Sequence, residues 1–261
     1  MAERADRHEL YEEAVQCVEA EIDFVDETYR ELRGRKAKLL REDFCGTANT
    51  ACEWVRRRKR NRAFAVDLDA DVQQWGREHH VAKLGKSRDR IELLNADVLT
   101  VKCEPVDIVL AMNFSYWIFK DRKLMRRYFK RVREGLAPGG LFILDAYGGS
   151  DAHQELSERT KLDGFTYVWQ QKSFNPITGD LLCHIHFNFP DGSRMKKAFS
   201  YEWRLWTVPE IREILLEAGF ARATVYWQGT EEETGEGNGE FTPTEHGEAD
   251  PAFIVYIVAE T

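Results

Sequence analysis

The stretch LLREDFCGTANTACEWV, residues 39–55, passes from an apolar strand through a small-residue turn containing one glycine, Gly46, into a helix-forming segment. A glycine at such a turn lets the backbone come close to a ligand, and strand, turn and helix in that order open an alternating α/β unit. Further short apolar runs follow at 62–68 (RAFAVDL), 90–96 (RIELLNA), 106–112 (VDIVLAM) and 141–147 (LFILDAY), with helical stretches at about 47–60, 70–84 and 121–136, the last stopped by APGG. The alternation predicts a mostly parallel sheet covered on both faces, a doubly wound Rossmann-like arrangement.

Outside this region the texture changes. Residues 8–32 carry Leu10, Val15, Val18, Ile22, Phe24 and Val25 at near-helical spacing among many acids, which predicts one or two amphipathic N-terminal helices. Residues 165–174, 181–189 and 195–206 read as three strands joined by the turn signals NPITGD and PDGS, an antiparallel meander inserted into the alternating fold. Helix and strand resume at 207–220, with Thr207 as N-cap and Pro209 in the first turn, and at 221–228 and 252–260. The expected organisation is a helical cap over 1–36, a core from 37–149 and 207–261, and an inserted β lid over 150–206.

The 261 residues are 43% hydrophobic, enough to bury a large core, and the formal charge of −8 argues against a basic footprint for nucleic acid. No apolar stretch has signal-peptide or membrane-span length, so a cytoplasmic protein is expected. Five scattered cysteines without a C-x-x-C pair fit reduced thiols and no metal site; Cys45, in the opening turn, reads either as a nucleophile or as a small side chain lining the loop.

Ligands of an open parallel sheet sit beyond the carboxyl ends of its strands. There lie the turn EDFCGTAN, Asp67, Asp97, the cluster MNFSYW and AYGG. Asp67 either accepts two hydrogen bonds from a ribose diol or, like Asp69, caps the next helix. Asp97 either receives an exocyclic amine or closes its own turn.

In the order LLREDFCGTA, AVDLD, NADVL, VDIVLAMNFSYW, GLAPGGLFILDAY and EILLEAGF, over about 37–147 and 207–260, the chain resembles the class I S-adenosylmethionine-dependent methyltransferases. The resemblance implies a seven-stranded sheet with an antiparallel last strand, and S-adenosylmethionine as cofactor. By position it implies Glu42 as the first-motif acid, Gly46 as the central glycine, with Asp43, Phe44 and Cys45 in the same turn. It further implies Asp67 as the ribose acid followed by Leu68, Asp97 and Val98 at the adenine, and Ala111 and Met112 beside the methionine moiety. Phe44 and Ala48 stand where the family usually has glycine, which leaves open whether Glu42 or Asp43 does the first acid's work.

Methyl transfer from a sulfonium needs an oriented lone pair, a dry site and, for some acceptors, a base. Candidates are Asn113 and Tyr116 to orient the acceptor, Tyr147 facing the same crevice or else a core or rim tyrosine, and His184 or His186 as base, the alternative for the histidines being a solvent-facing strand position. Tyr116, Trp117 and Arg204 are candidates for substrate binding, Arg204 through a carboxylate or else packed between tryptophans. Residues 230–250 hold eight acids and no Lys or Arg, an acidic loop that either favours a cationic acceptor or is simply solvated. The basic run RRRKRNR, 56–62, complements a helix C-terminus away from the ligand edge. The expectation is a methyltransferase acting on N or O of a small molecule, without nucleic acid or membrane partners. The alternatives are a non-catalytic nucleoside-binding regulatory protein and a nicotinamide-dependent oxidoreductase, against which the absence of G-x-G-x-x-G counts.

Overall fold

The computed structural model describes residues 1–231 and 237–261. Helices α1 (Arg7–Val15) and α2 (Val18–Arg33) precede an alternating run of β1 (Leu39–Asp43), α3 (Asn49–Arg57), β2 (Arg62–Asp67), α4 (Ala70–His79), β3 (Ile91–Asn95), β4 (Val106–Ala111), α5 (Arg122–Gly135) and β5 (Leu136–Gly148). Strands β6 (Leu156–Lys161), β7 (Thr166–Phe174), β8 (Asp180–Asn188) and β9 (Arg194–Arg204) form a separate antiparallel sheet. The chain closes with α6 (Val208–Glu217), β10 (Arg222–Thr230), β11 (Gly237–Thr244) and β12 (Phe253–Glu260).

The main sheet has the order β11-β10-β12-β5-β4-β1-β2-β3. Neighbours from β3 to β5 are parallel, and β12 runs antiparallel to both β5 and β10. The strand order reverses between β1 and β4, so a crevice opens beyond their carboxyl ends. Inner strands buried on both faces need continuous apolar runs, which VDIVLA and LFILDA supply. Helix α5 covers one face with Met125, Tyr128, Phe129 and Val132, a stripe at i, i+3, i+4 and i+7. On the other face Ile22, Val25 and Tyr29 of α2 pack with Trp54 and Val55 of α3. The start of the basic run 56–62 is tied down as well, Arg57 pairing with Glu53 and with Asp23 of α2. Thr207 and Glu210 form a reciprocal capping box at the start of α6, a contact of about 1 kcal/mol.

Two strands escaped the sequence reading. β6 is LSERTK, a mostly exposed edge strand without apolar alternation, and it makes the inserted sheet four-stranded instead of three. β11 lies in the acidic segment read as a loop and adds an eighth strand at the edge beside β10. Its sequence, GNGEFTPT, carries two glycines and Pro243, tolerable at an edge because one side of the strand is unpaired. Residues 232–236 of the same acidic segment lie outside the described residues.

Helix α1 does not join the main core. Its Leu10, Tyr11 and Ala14 pack with Phe165, Ile185 and Phe187 of the inserted sheet, so α1 bridges that sheet to the ligand edge. Among the described residues no helix is long and apolar enough to cross a membrane.

Candidate active site

The turn after β1 is built from left-handed residues. Phe44 and Ala48 both have φ of 58°, and Gly46 has φ of 51°. Two non-glycine residues thus keep the backbone that glycine ordinarily supplies, at a cost of about 1–2 kcal/mol each. Packing accounts for both: Phe44 lies against Phe119 and Tyr128, and Ala48 is fully buried. Gly76 of α4 packs on this turn so closely that a Cβ there would stand 2.1 Å from the Thr47 carbonyl oxygen, which excludes any other residue. The sequence reading did not single it out.

Glu42 and Asp43 have different surroundings. Asp43 takes a bidentate pair from Arg41 at 2.8 and 3.0 Å and the Tyr128 hydroxyl at 2.9 Å, so both its oxygens are committed to the core. Glu42 accepts the Ala51 N–H, at 2.9 Å, and burial, opposed by that bond and by the Thr50 hydroxyl, pushes its carboxyl up to about 8. Asp67 accepts the Gly46 N–H at 2.8 Å through one oxygen and the Asp69 N–H at 2.9 Å through the other, which leaves each oxygen a free lone pair. Asp69, not Asp67, caps α4.

These groups line a cavity of about 230 Å³ with Phe44, Cys45, Gly46 and Met112. Its far wall comes from α1, through His8 and Tyr11, and from the inserted sheet, through Phe199 and Tyr201. Cys45 is buried, which pushes its thiol well up and removes the nucleophile reading. Of the other expected contacts, Leu68 is exposed, Asp97 accepts the Leu99 N–H at 2.8 Å through one oxygen, and Val98 and Ala111 are buried.

A second cavity, of about 360 Å³, adjoins the first and shares Tyr11, Asn113 and Tyr201 with it. Tyr147, Phe114 and Phe253 floor it, and the inserted sheet roofs it. The sheet's register puts Glu158 of β6, Tyr167, Trp169 and Gln171 of β7, Ile185 of β8, and Tyr201 and Trp203 of β9 on the inward face. Asn113 stands where the cavities meet, and its side-chain amide bonds to no described residue. Tyr147 donates to Gln171 Oε1 at 3.1 Å, and burial raises its hydroxyl far beyond the range of a base.

The remaining candidates are elsewhere. Tyr116 is fully buried and donates to the Asp145 carbonyl at 2.6 Å; Trp117 is fully buried behind Tyr147 and Trp203. Arg204 lies 3.7 Å over the Trp206 ring and bonds the Lys120 carbonyl and Glu210, and it lines neither cavity. His184 and His186 project from the outward face of β8, where they meet Ser200 Oγ at 2.8 Å and Gln170 Oε1 at 3.2 Å, and the Lys197 N–H donates to His186 Nδ1. Strand alternation separates both rings from the cavity side that Ile185 faces.

Two contributions went unread. Asp145, a carboxylate in an otherwise apolar run, accepts the N–H groups of Asn113 at 2.7 Å and Phe114 at 2.9 Å, both left-handed residues. Burial pushes its carboxyl up to about 7 against those two bonds. Glu12 of α1 accepts the Thr47 hydroxyl at 2.6 Å and meets His80 Nε2 at 2.7 Å, while Asp6 accepts the Trp75 indole N–H at 2.8 Å. The charged residue in LFILDAY was a readable signal for the first; nothing local marks the second.

The sequence matches no family model and no curated protein. Solved structures do resemble it. An S-adenosylmethionine-dependent methyltransferase from Clostridium acetobutylicum is 17% identical with a TM-score of 0.69, the match covering 96% of each chain. CalS10, an amino pentose methyltransferase from Micromonospora echinaspora, is 15% identical with a TM-score of 0.67 over 97% of this chain and 95% of its own. The sugar N-methyltransferase KedS8 from Streptoalloteichus is 16% identical with a TM-score of 0.62 over 96% and 92%. The chain therefore has the class I methyltransferase fold, seven strands with an antiparallel last one, extended here by β11 and the inserted sheet.

Proposed function

We propose that the protein is a cytoplasmic S-adenosylmethionine-dependent methyltransferase that acts on a nitrogen or oxygen of a small molecule. The observation that carries this reading is the meeting of two cavities at Asn113, one lined by Glu42, Gly46 and Asp67 and the other walled by aromatic rings. The residues present suit the cofactor: Asp67 has two lone pairs for a ribose diol, Gly46 brings backbone close, and Glu42 has an oxygen for an amino group. The fold's relatives and five free, scattered thiols support the reading.

When bound, S-adenosylmethionine supplies an electrophilic methyl on sulfur. The chain's part is to place the acceptor lone pair in line with it. Asn113 orients the acceptor's N–H or O–H through its free amide, Tyr11 and Tyr201 wall the junction, and the inserted sheet with α1 excludes water. Of the residues shared by the two cavities, Tyr11, Asn113 and Tyr201, none is a base near neutrality, burial raising both phenols, which favours an acceptor that attacks as a free lone pair and loses its proton afterwards.

Titration with S-adenosylmethionine, S-adenosylhomocysteine and the reduced nicotinamides tests the reading. Micromolar binding of the first two alone, with methyl release on amine or hydroxyl pools, is expected; nicotinamide binding in their place would overturn it. Glu42 adds a sharper expectation. With its carboxyl at about 8 it is protonated at pH 7 in the free protein, and a cationic amino group beside it reverses that. S-adenosylhomocysteine binding at pH 7 should release about one proton, read from binding enthalpies in buffers of different ionisation heat, with affinity rising from pH 6 to 8; Glu42→Gln should remove the release. His184→Asn with His186→Asn should leave turnover within about twofold, because both rings face outward; a tenfold loss would restore them as bases.

A further inference from the structure

The inward face of the inserted sheet is mostly aromatic and apolar, its polar members on the cavity wall being Gln171 and, at the exposed edge strand, the carboxylate of Glu158. Glu158 of β6 stands in register with Trp169 of β7 and on the same face as Tyr167. It lines the 360 Å³ cavity, and its carboxylate takes no hydrogen bond or ion pair from a described residue. Its neighbours in the strand, Arg159 and Lys161, belong to the opposite face. The other charge on the cavity wall is Asp151, whose carboxylate is already engaged by Ser150 and Gln154. No Lys, Arg or His is among the described residues of that wall.

A carboxylate left unpaired against aromatic rings is poorly placed once a ligand displaces the water around it, unless the ligand brings the opposite charge. Ring faces add attraction for a cation and none for an anion. We propose that this chamber recognises a cationic group of the acceptor, an ammonium or protonated amine, between Glu158 and the rings of Tyr167 and Trp169. The inference deepens the methyl-transfer reading and rests on it for calling the ligand an acceptor; the cation site itself stands on the cavity.

The test is calorimetric titration of the full-length protein, saturated with S-adenosylhomocysteine, with choline and with its neutral isostere 3,3-dimethyl-1-butanol. Choline should bind at least about tenfold more tightly than the isostere, and Glu158→Gln and Trp169→Leu should each erase most of that preference, the size expected of a partly desolvated cation–π and charge contact. Affinity for S-adenosylhomocysteine should stay within about twofold in both variants, which shows that they are folded. Equal binding of choline and the isostere, no choline binding, or an unchanged preference in Glu158→Gln overturns the proposal. If S-adenosylhomocysteine does not bind at all, the methyl-transfer reading fails, and the same choline comparison on the protein alone, with thermal unfolding as the fold control, still decides the cation site.

Discussion

Asp67→Ala is expected to weaken S-adenosylhomocysteine binding by about two to three orders of magnitude while leaving the protein folded. Two charge-assisted hydrogen bonds to a ribose diol are worth about 1.5–3 kcal/mol each, and both vanish with the carboxylate. The substitution also frees the Gly46 N–H, held at 2.8 Å, so the turn that meets the donor loses its clasp. Asp67 is partly exposed and water can replace it at both N–H groups, so stability should fall by only about 1 kcal/mol. Asp67→Asn separates the two roles. One amide oxygen can still take the Gly46 N–H, and binding should recover about tenfold over the alanine variant. Calorimetry with S-adenosylhomocysteine and thermal unfolding of the three proteins check this; unchanged affinity in Asp67→Ala would remove the ribose assignment.

The backbone of this site was more legible than its side chains. Strand ends in a doubly wound sheet are fixed by the alternation of apolar runs and helices, so Gly46, Asp67 and Asn113 reached one edge on topology alone. The closure of that edge was illegible for a different reason. Glu12 of α1 reaches the turn at Thr47 and Asp6, its N-cap, reaches Trp75 of α4, each from more than thirty residues upstream, and long-range polar contacts leave no periodic trace in the sequence. The histidines show the opposite case. Their alternation with Cys183, Ile185 and Phe187 was readable, and it placed them on the face opposite the one that Ile185 turns to the cavity, although neighbouring side chains still bury His184. Phe44 and Ala48 show a third. Glycine is the usual residue at a positive φ, yet packing holds these two in the same backbone, so counting glycines understated how much of the turn is retained.

Asp145→Asn should lower turnover by about one to two orders of magnitude and leave S-adenosylhomocysteine affinity within about threefold. Asp145 does not touch the acceptor; it positions Asn113, whose backbone and that of Phe114 it holds in left-handed geometry, φ 58° and 57°. An amide offers one acceptor oxygen where the carboxylate offered two, so one part-buried N–H loses its partner and Asn113 leaves its place at the junction. A purely structural role would cost stability without this split, and pH provides the second readout. Burial pushes the Asp145 carboxyl from 3.8 up to about 7, so between those values the folded protein keeps a proton that the unfolded chain has released. The stabilisation tied to that proton is complete below about pH 4 and is lost as pH rises to about 7, a swing on the order of a few kcal/mol. Catalysis runs the other way, because the protonated acid turns an O–H toward an N–H it should accept. Wild-type turnover should therefore fall below about pH 7, while its urea stability rises over the same interval. In Asp145→Asn the acid limb of turnover should disappear, and the stability slope should shrink to the share left by Glu42 and Glu21, whose carboxyls burial also raises, to about 8 and about 7. An acid limb that persists unchanged in the variant would assign it to another group and leave Asp145 a role in folding alone.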